Sequence, residues 1–148
     1  MKRRRLLQGV GAVALVACGP ARAADSALPS IPALSAFLAG RTPRFERVRL
    51  ELPSIADNGF AVPMKLTVEG PFAPGPYVKT LRLFSETNPV PAMAAFEFPL
   101  PLERIELESR IRLAGAQQVV AVAEMTDGRV YATAREVIVT LAGCMDGT

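Results

Sequence analysis

Hydrophobic and polar residues alternate along most of the chain after residue 45, which predicts strands rather than helices. The first run alternates clearly from Val48 onward, and similar runs recur to the end of the chain. Turns rich in Gly and Pro separate seven such runs, at 45–52, 61–69, 77–84, 92–98, 109–113, 119–125 and 130–141. Since no helical segment lies between them, we predict an all-β, immunoglobulin-like antiparallel β-sandwich.

Two features refine this prediction near the C-terminal end. Residues 119–125 are nearly all apolar, so we expect this strand to be buried on both faces. Asp127-Gly128 is a typical hairpin sequence and predicts that the last two strands pair. Another turn is predicted at Asp57-Asn58-Gly59.

A helical period of apolar residues appears only before the strands. Residues 31–40 are predicted to form one short helix, with Ser30 as its N-cap, Pro32 in its first turn and Gly40 at its C-cap. The chain then divides into a linker with this helix at 24–44, a sandwich at 45–141 and a terminal arm at 142–148.

The first 23 residues have the composition of a secretory signal. Lys-Arg-Arg-Arg at 2–5 precedes an apolar stretch at 6–18, and Ala21-Arg22-Ala23 is an A-x-A cleavage pattern. The apolar stretch is too short for an ordinary transmembrane helix. A buried N-terminal helix is the alternative interpretation.

The route and the cleavage site stay open. The tandem arginines resemble a twin-arginine signal, which favours export of a folded protein and cleavage after Ala23. The sequence at 15–18, Leu-Val-Ala-Cys, resembles a lipobox, in which Cys18 would be lipidated and become the N-terminus.

Removal of the signal changes the charge of the protein. The whole chain carries a formal charge of +3 from 17 basic and 14 acidic residues. Five of the basic residues lie in 1–23, so a chain cut after Ala23 has 12 basic residues and a net charge of −2. The remaining basic residues give no case for nucleic-acid binding.

The cysteine and histidine counts exclude several functions. The chain contains no histidine, which excludes Ser-His-Asp and Cys-His catalysis and disfavours zinc. Glu103, Glu106 and Glu108 form an acidic cluster, but it lacks the spacing of a calcium loop, so we predict no metal site. If Cys18 leaves with the signal, Cys144 is the one thiol, which indicates intermolecular pairing or a reactive group.

Cys144 lies in a short terminal segment that follows a strand. The segment contains Ala142, Gly143, Met145, Asp146 and Gly147 around the cysteine. We expect such a segment to be a flexible arm that brings the thiol to a partner's active site. An incidental cysteine, or one packed against the sandwich, is the alternative.

The order and spacing of several segments resemble the SoxY family of sulfur carriers. The likeness covers roughly residues 45–144 and is carried by Ile55-Ala56-Asp57-Asn58-Gly59, Val62-Pro63, Val78-Lys79, Leu83-Phe84, Asn88-Pro89-Val90-Pro91 with Phe96, Ser109-Arg110-Ile111-Arg112-Leu113, the run at 119–125, Glu136-Val137-Ile138-Val139-Thr140 and Gly143-Cys144. One departure is in the arm, where the family typically has Gly-Gly-Cys-Gly-Gly and this chain has Ala-Gly-Cys-Met-Asp.

The resemblance implies a periplasmic carrier protein that is not itself an enzyme and holds no cofactor. Cys144 would receive thiosulfate through an oxidative S–S bond made by a haem partner, SoxXA. SoxB would release sulfate, and SoxCD, where present, would oxidise the remaining sulfane sulfur. A SoxZ-like sandwich would complete a heterodimer. The alternative is an exported SoxY-like structural or binding subunit whose cysteine carries no sulfur.

Overall fold

The computed structural model describes residues 27–70 and 74–141, which form one short helix and two sheets. The predicted signal at 1–23 and the arm at 142–148 lie outside these residues. The elements are α1 (Pro32–Leu38), β1 (Val48–Glu51), β2 (Ile55–Ala56), β3 (Val62–Val68), β4 (Val78–Ser85), β5 (Ala92–Glu97), β6 (Ile105–Ile111), β7 (Gln117–Met125) and β8 (Val130–Val139).

The strands form a two-layer sandwich. One sheet has the order β1-β3-β6 and the other the order β2-β8-β7-β4-β5. Neighbouring strands are antiparallel, apart from the short parallel pair between β2 and β8. The predicted all-β sandwich with a short N-terminal helix is confirmed.

Strand β7 is buried on both faces, as its apolar sequence predicts. Val119, Ala121 and Ala123 belong to the core between the two sheets. Val120 and Val122 belong to a second core on the outer face of the five-stranded sheet, where helix α1 covers them. This second core also contains Ile31 and Leu34 from the helix region, Phe84 from β4, and three residues of β8, Val130, Ala132 and Ala134. The helix therefore keeps the outer face of the five-stranded sheet out of water.

Helix α1 is held at its C-terminal end by a side chain that sequence reasoning missed. The guanidinium of Arg41 donates hydrogen bonds to the carbonyl oxygens of Leu38 (2.9 Å) and Phe37 (2.7 Å). It also pairs with Glu124 Oε1 on β7 at 2.8 Å. A cation at this end hydrogen-bonds to carbonyl oxygens that lack partners within the helix, and it interacts favourably with the negative end of the helix dipole. The ion pair with Glu124 joins the helix to the sheet.

The predicted helix caps need correction. The N-cap is Ile31 rather than Ser30, and it makes no side-chain capping bond. Pro32 does begin the helix, because its fixed φ suits the first position. At the other end Ala39 is the C-cap in the left-handed conformation, and Gly40 also has a positive φ.

Two strand predictions also change. The strand predicted at 109–113 runs instead from Ile105 to Ile111, because it pairs with β3 along that whole length, from Val68 opposite Ile105 to Val62 opposite Ile111. Its charged residues Glu106 and Glu108 form ion pairs with Lys65 on β3. Strand β2 was not predicted, since two residues carry no period.

The predicted β7–β8 hairpin is confirmed. Gly128 takes a left-handed conformation, with φ of 84°, that favours glycine. The Met125 N–H donates to the Arg129 carbonyl at 2.8 Å, which closes the turn. Asp127 pairs with Arg129 at 2.6 Å on the surface.

We predict that Arg41→Ala lowers the free energy of unfolding by about 1–2 kcal/mol, because charged hydrogen bonds to the helix end and to Glu124 are lost. Arg44→Ala is the matched control. Arg44 is more exposed and lies 3.8 Å from Glu46, so its removal should cost less than about 0.5 kcal/mol. Urea unfolding followed by circular dichroism measures both. Equal effects would contradict the assigned role of Arg41.

Candidate functional site

The predicted functional residues all lie just beyond the described part of the chain. Cys144 and the arm residues Ala142, Gly143, Met145, Asp146 and Gly147 are outside it, and the description ends at Leu141. The structure describes the residues from which the predicted arm begins, up to Leu141. We call residues 138–141, together with the segment 54–59 that they contact, the arm root.

The arm root begins where β8 loses its main neighbour. The β7–β8 pairing ends at Val137, opposite Gln117. Beyond that point β8 pairs with the two residues of β2, with Ile138 opposite Ile55. The Ile138 N–H donates to the Ser54 carbonyl at 2.9 Å, and the Thr140 N–H to the Ala56 carbonyl at 3.1 Å. The strand is therefore held almost to the cysteine.

The turn at Asp57-Asn58-Gly59 closes the arm root. The Thr140 hydroxyl donates to the Asp57 carbonyl at 2.6 Å, and the Gly59 N–H donates to the Leu141 carbonyl at 2.7 Å. The turn itself is shaped by Asn58, whose Oδ1 accepts the Phe60 N–H at 2.7 Å. The Gly59 carbonyl accepts the Leu113 N–H at 2.8 Å, which fixes the turn to the rest of the sandwich.

Sequence reasoning identified this turn but not its role. Its partners, Thr140 and Leu141, lie about eighty residues further along the chain. No local pattern connects them, so the role follows only from the fold. The one indication in the sequence was that both segments, 55–59 and 136–140, are among those that resemble the SoxY family.

Large apolar side chains are exposed on the arm root and next to it. Ile55 and Ile138, which are register partners, are 59% and 50% exposed. Phe60 and Leu141 are exposed to a similar degree. Exposed apolar groups concentrated at one place are typical of a contact surface.

Two residues of the acidic cluster, Glu106 and Glu108, form ion pairs with neighbouring basic side chains. Lys65 Nζ lies 2.7 Å from Glu106 and 3.0 Å from Glu108, and Arg104 lies 2.7 Å from Glu106. Hydrogen bonding to Lys65 lowers the pKa of Glu106, and the same contacts raise the pKa of Lys65. Across residues 27–70 and 74–141, no group of His, Cys, Asp and Glu side chains could hold a metal ion.

The one helix among the described residues, α1, spans seven residues, and no helix there is long and apolar enough to cross a bilayer.

The described part of the chain is a sandwich whose last strand is held by hydrogen bonds as far as Leu141, three residues before Cys144. The family model described as sulfur oxidation protein SoxY matches residues 34–144. This chain belongs to the SoxY family. The match ends at Cys144, so the cysteine lies within the family segment.

A solved structure of a SoxY protein agrees with this assignment. The sulfur carrier protein SoxY from Chlorobium limicola f thiosulfatophilum superposes with a TM-score of 0.60 at 26% identity, over 72% of this chain and 87% of that chain. A superoxide reductase (neelaredoxin) from Ignicoccus hospitalis gives a TM-score of 0.50 at 10% identity, over 64% and 80% of the two chains. That second likeness shows the fold alone. No curated protein sequence matches the chain.

We predict that Thr140→Val loosens the arm root, because it removes the hydroxyl that donates to Asp57. The free energy of unfolding should fall by about 1 kcal/mol. Native-state hydrogen exchange should quicken at the amides of Gly59 and Thr140. Thr87→Val is the control, since the exposed Thr87 hydroxyl bonds to no described residue. Unchanged exchange at Gly59 would contradict this account of the root.

The Lys65–Glu106 contact predicts how the stability of the protein depends on pH. Because the pKa of Glu106 is lowered in the folded protein, its stabilisation is present above the usual value of 4.5 and is lost as pH falls through the folded-state pKa. Glu106→Gln should therefore lower Tm slightly at neutral pH, and the difference should disappear in acid. Thermal melts at several pH values measure the difference in Tm between the wild-type chain and the variant, with Glu103→Gln as control. A difference that persists in acid would contradict the prediction.

Proposed function

We propose that Cys144 carries sulfur intermediates in covalent linkage during thiosulfate oxidation, in a periplasmic complex with a SoxZ-like subunit. The observation that carries the proposal is the family match, which runs through the sandwich and ends at Cys144. The anchored arm root supports it, because the thiol lies three residues beyond a fixed point. A stretch of three residues spans at most about 11 Å, so the root sets where the thiol can act.

The proposed loading step oxidises the cysteine and thiosulfate together. The Cys144 thiol and S₂O₃²⁻ form Cys–S–S–SO₃⁻, one proton leaves, and two electrons pass to the haem groups of a SoxXA-type partner. The thiolate is the reactive form of the cysteine. This chain supplies the sulfur nucleophile and its position, and the partner supplies the oxidant.

The proposed unloading step is a hydrolysis. A SoxB-type partner adds water to the terminal sulfonate, which releases sulfate and two protons and leaves a persulfide anion, Cys–S–S⁻, on the carrier. A SoxCD-type enzyme, where present, would oxidise the remaining sulfane sulfur. The carrier itself needs no resident cofactor for either step.

The apolar surface at the arm root fits contact with these enzymes. An enzyme that receives Cys144 must approach Leu141 and its surroundings, where Ile55, Phe60 and Ile138 are exposed. Apolar contacts of this kind can be formed and released repeatedly by successive partners.

A second candidate function follows from the altered arm. Ala142, Met145 and Asp146 stand where the family typically has glycine, so the cysteine is flanked by wider and charged groups. The alternative is an exported subunit that stabilises a partner without carrying sulfur.

The decisive variant is Cys144→Ser. We expect thiosulfate-dependent turnover to fall to background when the variant is combined with SoxZ, SoxXA and SoxB proteins, because the attachment atom is gone. Tm and binding of the SoxZ-like subunit should be unchanged. The double variant Met145→Gly with Asp146→Gly is the matched control, which keeps the thiol and should retain turnover. Undiminished turnover with Cys144→Ser would support the structural-subunit alternative.

A further inference from the structure

The charged face of strand β6 is neutralised along most of its length but not at its end. Its two glutamates pair with Lys65 on β3. Arg110 lies further along the same face, and its register partner on β3 is Pro63, which carries no charge. Arg112 lies beyond the last residue pair of the two strands. Both arginines are exposed, and neither forms an ion pair with a described residue.

The end of β6 adjoins the arm root. The Leu141 carbonyl accepts the Gly59 N–H at 2.7 Å, and the Gly59 carbonyl accepts the Leu113 N–H at 2.8 Å. Two hydrogen bonds through one glycine therefore keep the Leu141 oxygen within about 9 Å of the Leu113 nitrogen, which follows Arg112. Cys144 lies three residues beyond Leu141, at most about 11 Å along the chain, so its sulfur can reach the Arg112 side chain.

The backbone that carries Arg112 is fixed. The Asn88 side chain donates to the Arg112 carbonyl at 2.8 Å and accepts the Ala114 N–H at 2.9 Å. Leu113, between them, is completely buried and donates to Gly59. Three successive residues are therefore held in place beside the arm root, which gives the guanidinium a defined base from which to act.

The proposed loading step brings negative charges together. Thiosulfate is a dianion, and the reactive form of Cys144 is a thiolate. Such charges repel each other at close range, and nearby cations offset the repulsion. Arginine stays charged at physiological pH, and its planar guanidinium matches an oxyanion through two parallel hydrogen bonds. Arg110 and Arg112 are therefore suited to offset the charges that meet at this place.

Three carboxylates oppose the arginines. Asp57 is an exposed residue of the arm-root turn, Glu136 is exposed on β8, and Asp146 follows Cys144 by two residues. Each of them lowers the local electrostatic potential. Removal of one carboxylate should therefore act on the thiol in the opposite direction to removal of an arginine, which gives an experiment a change of sign to look for.

We propose that Arg110 and Arg112 are the residues of the carrier that recognise its anionic cargo. They attract the thiosulfate dianion towards Cys144 and contact the sulfonate of the resulting Cys–S–S–SO₃⁻ adduct. This inference rests on the proposed function, because that function supplies the anion. The arginines exchange no electrons or protons in the loading step, and the contact ends when hydrolysis releases the sulfonate as sulfate.

The test compares alkylation of Cys144 by anionic iodoacetate and by neutral iodoacetamide. It uses a mature chain that begins at Ala24, in which Cys144 is the one thiol. Intact-protein mass spectrometry gives both rate constants, and their ratio reports the potential at the sulfur because both reagents need the same thiolate. We expect Arg110→Gln with Arg112→Gln to lower the ratio roughly two- to threefold, and added salt to reduce this difference.

Matched variants separate charge from structure. Arg110→Lys with Arg112→Lys keeps both charges and should retain the wild-type ratio, whereas Asp57→Asn should raise it. Lys79→Gln removes an exposed cation near the start of β4, which lies opposite Met125 at the end of β7 away from the arm root, and should leave the ratio unchanged. All these side chains are exposed, so Tm should not change.

A second measurement uses the cargo itself. With a SoxXA-type enzyme from the same organism, the initial rate of adduct formation on Cys144 should fall in the glutamine pair by a factor similar to that of the alkylation ratio. The lysine pair should load at nearly the wild-type rate. The mass of the intact chain measures both.

Several results would overturn the inference. An unchanged alkylation ratio in the glutamine pair would do so, as would an equal fall in the lysine pair or in Lys79→Gln. Because alkylation needs no partner enzyme, these outcomes leave the carrier function standing whenever the wild-type chain still forms its adduct. A wild-type chain that forms no adduct would reject the proposed function, and this inference with it, whatever the alkylation ratio.

Discussion

The apolar side chains on both faces of strand β7 must be shielded from water, and the rest of the architecture depends on this constraint. Its residues Val119 to Ala123 are completely buried, with alternate side chains facing the other sheet and helix α1. Burial of apolar surface is the main favourable contribution to folding, so loss of either cover would expose a full strand face to water. The ion pair between Arg41 and Glu124 holds one of these covers, the helix, against the sheet.

The position of the last described residues, 138–141, depends on the same strand. Strand β8 is fixed through its pairing with β7, but that pairing stops at Val137. Beyond Val137, residues 138–141 are held by pairing with β2 and by hydrogen bonds to the turn at Asp57-Asn58-Gly59. Hydrogen bonds from distant segments, rather than core packing, therefore fix the chain at Leu141, three residues before Cys144. Under the proposed function, this is the point from which the thiol would reach a partner.

The sequence was sufficient for the sandwich and the position of most strands, because alternation reports directly on which residues face the core. It also singled out Cys144, through the cysteine count and the family likeness, and that role stays a prediction because Cys144 lies outside the described residues. It failed at β2, which is too short to have a period, and at the start of β6, where charged residues paired with Lys65 obscured the alternation. The roles of Arg41 and of the arm-root turn depend on partners far along the chain, and no local pattern predicts those.

The most direct test of the central claim is the mass of the intact mature protein from thiosulfate-grown cells, with and without reductant. The account predicts an adduct of sulfur or thiosulfonate that reductant removes and that maps to Cys144. An unmodified thiol on protein that still binds its SoxZ-like partner would contradict it and would indicate a subunit whose altered arm carries no sulfur.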